Sequence, residues 1–217
     1  MVKVKICGIR SEAGALACAE AKVDLVGLNF VPTSRRVVSL EQAQAFKSLL
    51  PGISLVGVFA VEKAPFSGRQ LQLIAKTVEA VELEWAQIHG DVSPALGQSL
   101  AQYCKIIKAI AVDDRFDPQS LEPYRPWVTA FLFDAPQPGS GQPFNWQRLA
   151  AIPRDRLFFL AGGLTPENVA DAIAQVQPDG VDTASGIETN GVEDPARILS
   201  FCLKVRSCKE INVSHRG

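Results

Sequence analysis

Leu157-Phe158-Phe159-Leu160-Ala161-Gly162-Gly163-Leu164-Thr165-Pro166 opens as a short apolar run, breaks at a glycine pair and passes into helix-starting chemistry. A helical stretch follows to Val176, then a second short run, Gly180-Val181-Asp182-Thr183, and a second glycine-containing turn, Ala184-Ser185-Gly186-Ile187. Strand, turn, helix, strand and turn within about 30 residues is a βαβ unit, whose two strands must run parallel. Reading outward finds the same unit throughout. Strand candidates are Val2 to Cys7, Asp24 to Phe30, Ile53 to Ala60, Trp85 to His89, Ile106 to Ala111, Val128 to Asp134, Leu157 to Ala161 and Gly180 to Thr183. Helical stretches are expected over Glu12 to Ala21, Leu40 to Leu50, Gln70 to Thr77, Ala95 to Cys104, Pro118 to Tyr124, Asn145 to Ala151, Pro166 to Val176 and Pro195 to Val205, with Ser39, Ser93, Asp117, Thr165 and Asp194 as N-caps. Eight strands, each followed by a helix, predict an α/β fold closed into a single (β/α)8 TIM barrel over residues 1–205, with 206–217 as a tail. A doubly wound open sheet is the alternative, and it seldom keeps one repeat so even.

At 217 residues, 47% of them hydrophobic, the chain can bury one sizeable core, given roughly 100 to 200 residues per domain. A formal net charge of −1 lacks the field that nucleic acid or an anionic membrane would attract, so neither is an expected partner. Met1-Val2-Lys3-Val4-Lys5-Ile6 alternates charge with aliphatics, unlike a signal peptide, and no later run approaches the roughly 18 apolar residues of a spanning helix. A soluble, cytoplasmic protein is expected, monomer or homodimer. The five cysteines, Cys7, Cys18, Cys104, Cys202 and Cys208, lack metal-ligand spacing and read as reduced thiols, so no metal is expected.

In such a barrel the chemistry sits on the loops after the strands, which singles out polar residues at strand C-termini. Val2, Val4 and Ile6 form one apolar face of the first strand, which sends Lys3, Lys5 and Cys7 inward. A buried lysine needs a partner, and Asp182 on the neighbouring last strand is the candidate. Lys5 is then either half of a structural ion pair or the charge that lowers the pKa of Cys7 and makes it a base. Strand six is apolar until Asp134, a turn residue or a partly buried acid ready to donate a proton. The loops at Gly162-Gly163 and Ser185-Gly186 follow strands seven and eight, where barrels of this class hold phosphate. Ser34-Arg35-Arg36, after strand two, could clamp a carboxylate through the planar guanidinium fork, with a solvated basic turn as the plain alternative for Arg35. Gln87 and His89 share one face of strand four and are either polar layer residues or ligand contacts. Gly139-Ser140-Gly141 reads as a loop over the site.

Taken in order, Lys5-Ile6-Cys7-Gly8-Ile9, Ser34-Arg35-Arg36, Gln87-Ile88-His89-Gly90, Phe131-Leu132-Phe133-Asp134, Gly139-Ser140-Gly141 with Phe144-Asn145-Trp146, Gly162-Gly163-Leu164 with Pro166-Glu167-Asn168-Val169, and Asp182 with Ser185-Gly186-Ile187-Glu188 resemble the phosphoribosylanthranilate isomerases of tryptophan biosynthesis. The resemblance implies an Amadori rearrangement of a phosphosugar substrate with no cofactor. By position, Asp134 would be the general acid, Cys7 the general base, Arg36 the contact for the anthranilate carboxylate, and the loops at Gly162-Gly163 and Ser185-Gly186 the phosphate site; Gln87, His89, Gly141 and Asp182 complete the expected substrate contacts. Asn145, Thr183-Ala184 and Arg10 depart from the usual residues at their positions. A related Amadori isomerase of histidine synthesis would carry a carboxylate in place of Cys7, and a pentose-phosphate epimerase would carry metal-binding histidines, where this chain has only His89 and His215. A non-catalytic barrel holding a phosphorylated ligand is the alternative of a different class.

Overall fold

The structure, a computed structural model, describes residues 1–61, 68–136 and 144–208. Eight strands, β1 (Lys3–Cys7), β2 (Leu25–Asn29), β3 (Ser54–Ala60), β4 (Trp85–His89), β5 (Lys105–Ala111), β6 (Ala130–Asp134), β7 (Leu157–Leu160) and β8 (Gly180–Thr183), pair in chain order into a closed barrel. β8 returns to β1 in parallel, with Lys5 opposite Asp182, so the expected closure holds and the open sheet does not. Leu25, Val56, Trp85, Ile107, Ala109, Ala130, Leu132, Phe159 and Ala161 fill the interior as one cluster. The Phe159 ring sits over Gly180, where a Cβ would lie 2.4 Å from it, so a large and a small residue interlock across the β7–β8 pair. The alternate face, including Ile6, Val26, Ile88, Phe133 and Val181, packs outward beneath the helices.

Among the described residues six α-helices surround the strands: α1 (Glu12–Glu20), α2 (Leu40–Leu49), α3 (Gly68–Val81), α4 (Pro94–Leu100), α5 (Val169–Val176) and α6 (Pro195–Ser207). Ser39 and Gln42 form a reciprocal capping box, and the Asp194 carboxylate accepts from the N–H groups of Ala196 and Arg197. Two expected helices are only 3-10 turns, Pro118–Leu121 and Trp146–Leu149. Pro123 and Pro126 follow the first turn closely and Pro153 the second, each lacking the N–H that another helical turn would need. α5 starts at Val169 and not Pro166, because the Asn168 side chain folds back to accept from the Thr165 N–H and donate to the Gly163 carbonyl. Asn168 therefore takes the N-cap position, while the Thr165 hydroxyl accepts from the Glu167 N–H in the turn just before it, and Ser93 stands at its N-cap position without a side-chain bond. Lys3 also differs from expectation: it lies at the barrel's lower rim, exposed, 3.8 Å from Asp24. The last helix extends to Ser207, two residues past the expected boundary, and 209–217 lie outside the described residues.

One element was not anticipated. After β8 and a 3-10 turn at Ser185–Ile187, the chain makes a short hairpin, β9 (Glu188–Thr189) and β10 (Val192–Glu193). Its turn residues Asn190 and Gly191 both have positive φ, 53° and 77°, which is the type I′ hairpin turn that Asn-Gly favours.

Candidate active site

β1 delivers Lys5 and Cys7 to the interior. Lys5, fully buried, donates from Nζ to Asp182 Oδ1 at 2.7 Å, so the expected pair across the β1–β8 seam is formed. Beside them β2 offers Gly27, where a Cβ would lie 2.9 Å from Cys7 Sγ and 3.2 Å from Lys5 Nζ; the missing side chain is what leaves room for both. Burial pulls the Lys5 ammonium down, but Asp182 and Cys7 outweigh it and hold its pKa above the ordinary lysine value. The expectation for Cys7 needs correcting. Lys5 does favour the thiolate, yet burial is the larger effect and Asp182 adds to it, so the thiol is pushed up from its ordinary value, not lowered.

Asp134 ends β6, and its Oδ1 accepts from the Ala135 N–H at 2.8 Å, a local turn bond. Burial, and next the charge of Asp182, push its carboxyl up to about 6, against the opposing Ala135 N–H and Lys5. It is thus both of the things the sequence offered: a turn residue and a raised acid.

A notch of about 30 Å³ joins Asp134 and Asp182 to the two glycine loops, lined by Gly162, Gly163, Leu164 and Thr183, Ala184 and Ser185 among others. Gly162 and Gly163 hold φ of +83° and +68°, and a Cβ on Gly162 would lie 2.7 Å from the Ala135 nitrogen, so a side chain is excluded twice over. The loops also lock to each other: a Cβ on Gly186 would meet the Leu164 carbonyl oxygen at 1.9 Å, and the Thr183 hydroxyl donates to that oxygen at 2.7 Å. Thr183, one departure from the usual pattern, therefore has a structural task here. Asn145 likewise accepts from the Gln147 N–H and caps its turn. Cys7 does not line the notch; it adjoins it through Lys5, which touches Asp182.

Gln87 and His89 face each other, Nε2 to Nε2 at 2.9 Å, inside the barrel and away from the notch. Burial, with the charges of Lys108 and Lys5, lowers the His89 pKa to about 4, so the ring is neutral at physiological pH. Gln87 Oε1 is buried with no hydrogen-bond partner among the described residues. Gly141 lies outside the described residues.

Arg35 is exposed, as a basic turn residue would be, though paired to Glu188, whereas Arg36 is buried. Its stem crosses Gly8, where a Cβ would lie 2.3 Å from Arg36 Cδ, and its guanidinium is held by Glu188. Glu188, Glu193 and Arg197 are the polar groups that the strand-end rule passed over, because the first two lie on the unanticipated hairpin and the third on a helix. Glu193 accepts from the Arg10 N–H at 2.8 Å, Arg10 also donates to the Gly191 carbonyl, and Arg197 Nε donates to the Gly186 carbonyl at 3.0 Å. The Asn190-Gly191 pair was the signal that could have found the hairpin. Among the described residues no group of three or more His, Cys, Asp or Glu is placed to hold a metal ion, and no helix is long and apolar enough to cross a membrane.

A closed (β/α)8 barrel whose last two βα turns meet around a notch, with a raised carboxyl on its wall and a thiol beside it, is a phosphosugar-type barrel enzyme. The family follows from comparison: the profile described as N-(5'phosphoribosyl)anthranilate (PRA) isomerase matches residues 4–204, and the chain belongs to that family. It is 38% identical over 208 residues to the N-(5'-phosphoribosyl)anthranilate isomerase of Streptococcus pneumoniae (strain Hungary19A-6), covering 95% of this chain and 96% of the relative. The phosphoribosyl anthranilate isomerase of Thermotoga maritima superposes with a TM-score of 0.84 at 34% identity, covering 95% and 100% of the two chains. A further solved isomerase, in complex with reduced 1-(o-carboxyphenylamino)-1-deoxyribulose 5-phosphate, matches with a TM-score of 0.80 at 32% identity over 95% and 100%.

Proposed function

We infer that this chain acts in the cytoplasm, converting N-(5-phosphoribosyl)anthranilate to 1-(2-carboxyphenylamino)-1-deoxyribulose 5-phosphate by an Amadori rearrangement in tryptophan biosynthesis. The observation that carries the mechanism is Asp134 on the wall of the same notch as Gly162-Gly163 and Ser185, which supports reading it as a proton donor beside a phosphate seat. Phosphate docks on the N–H groups of the two loops. Asp134 gives its proton to the ring oxygen as the C1–O bond breaks, and the nitrogen lone pair forms the C1=N bond of a protonated Schiff base. Cys7, as thiolate, then takes the proton from C2; the C–H pair becomes the C1=C2 bond and the C=N pair returns to nitrogen. Loss of the O2 proton and protonation of C1 leave a ketone at C2 and a methylene at C1, so C2 is oxidised as C1 is reduced and no outside oxidant is consumed.

Lys5 supplies the positive charge that makes the thiolate attainable against burial, and Asp182 holds Lys5 in place. Arg36 meets the anthranilate carboxylate. Gln87 Oε1 offers an acceptor to a substrate hydroxyl, with the neutral His89 ring fixing the amide. Each positioned proton transfer contributes roughly 10²- to 10⁴-fold, and anchoring both ends of the substrate adds orientation, so side chains suffice. The thiol at Cys7 separates this reading from the histidine-pathway isomerase, which would carry a carboxylate there. The test is incubation with freshly made phosphoribosylanthranilate, following its fluorescence. Enzyme-dependent decay to the ketose is expected; decay equal to the buffer blank rejects the activity.

A further inference from the structure

The function above leaves the hairpin after β8 without a task. Glu188, its first residue, has a side chain only 5% exposed and gathers two guanidinium groups. Arg36 Nε donates to Oε1 at 2.7 Å and Arg36 Nη2 to Oε2 at 3.1 Å, a bidentate grip along one edge of the fork, while Arg35 Nη2 donates to Oε2 at 2.6 Å. A guanidinium has five N–H donors in one plane, so a grip through Nε and Nη2 leaves the Nη1–Nη2 edge for a second carboxylate. Two guanidinium charges meet one carboxylate here, and the cluster keeps a net positive charge for a ligand. The Arg36 stem runs over Gly8, directly after Cys7, and its charge is close enough to favour the Cys7 thiolate, so the guanidinium belongs to the thiol end of the site. Glu188 follows immediately on Ser185-Gly186-Ile187, the turn whose first residue lines the notch. One short segment therefore fixes the phosphate seat at one end and the arginine fork at the other.

We propose that Glu188 is a positioning residue that turns the free edge of Arg36 toward the substrate carboxylate, making Ser185–Glu188 a ruler for ligands that carry a phosphate and a carboxylate at one fixed separation. This rests on the reading of Arg36 as the carboxylate contact. Arg10 and Glu193 brace the ruler from behind. Arg10 donates to the carbonyl of Arg35 and to that of Gly191 at the hairpin tip, and Glu193 holds the Arg10 N–H, so the loops after β1 and β2 are tied to the hairpin. Without Glu188 the fork gains rotamers and loses its aim, and a long flexible side chain then forfeits ordering free energy on binding.

The test uses titration calorimetry with two probes: the reduced product analogue 1-(2-carboxyphenylamino)-1-deoxyribitol 5-phosphate, and the same compound without the ring carboxylate. Wild-type protein should prefer the first by tenfold or more. Glu188→Gln should lose most of that preference while its affinity for the second probe stays within about threefold, and Glu188→Asp, with a shorter reach, should fall between the two. A merely structural role would weaken both probes alike and leave the ratio unchanged, which overturns the proposal. Arg36→Ala separates the two readings: if the ratio is lost in Arg36→Ala but intact in Glu188→Gln, Arg36 binds the carboxylate and Glu188 does not aim it. If wild-type protein shows no preference, the Arg36 assignment fails and this proposal with it.

Discussion

Two titratable side chains set the chemistry, and their environments push both upward. Asp134 titrates at about 6 and Cys7 above its ordinary value of 9.0, so the reactive form, with acid protonated and thiol ionised, is a minority species at neutral pH. The sign follows directly: kcat/KM should rise tenfold per pH unit up to about 6, stay flat while gains in thiolate cancel losses of carboxyl proton, and fall only above 9. A pH–rate profile that already declines between 6 and 9 contradicts the raised thiol. Asp134 also burdens stability. Its folded pKa of about 6 stands above the ordinary 3.8, so the burden is absent below about pH 4, grows as the pH rises to 6 and persists beyond. Asp134→Asn should therefore raise unfolding free energy by about 3 kcal/mol at pH 8 and leave it unchanged at pH 3, as read by urea denaturation. A gain equal at both pH values would show that ionisation is not the cause. The candidate acid was legible because a carboxylate closes an otherwise apolar strand. The direction of the Cys7 shift was not, because it depends on how much solvent the barrel excludes and on Asp182, which only closure brings near.

Elements were legible where local chemistry decides them and illegible where tertiary packing does. The strands followed from short β-rich runs recurring between helical stretches, and the N-caps at Ser39 and Asp194 from side-chain bonds within three residues. Pro118 to Tyr124 and Asn145 to Ala151 read as helices on composition, yet nearby prolines hold each to a single turn. The hairpin was overlooked, although Asn190-Gly191 states it, because it interrupts an otherwise even βα repeat. Its turn makes a prediction: Gly191→Ala places a Cβ at φ +77° and 3.2 Å from Arg35 Nη1. The expected loss is about 1 kcal/mol, or roughly 2–4 °C in Tm by calorimetry. An unchanged Tm would mean that this residue does not hold the left-handed conformation.

At the scale of the whole molecule, the Lys5–Asp182 pair spans the seam where the first strand meets the last. Removing one member leaves a buried charge alone, so Lys5→Met and Asp182→Leu should each cost about 3–5 kcal/mol, whereas the double substitution should cost at least about 2 kcal/mol less than their sum. Strict additivity in urea unfolding would mean the pair is not coupled. The barrel itself was readable from the repeat, and closure then explains why residues so far apart in sequence meet: Cys7 and Lys5 from the first strand, Asp134 from the sixth, the glycine loops from the last two. The proposed catalysis requires the thiol and the carboxyl to act on one phosphate-anchored substrate. Turnover of phosphoribosylanthranilate by Cys7→Ala and Asp134→Ala, each verified as folded by circular dichroism, tests it most directly. Both rates should fall by roughly 10²- to 10⁴-fold or more; near-normal turnover by either variant contradicts the role assigned to that residue.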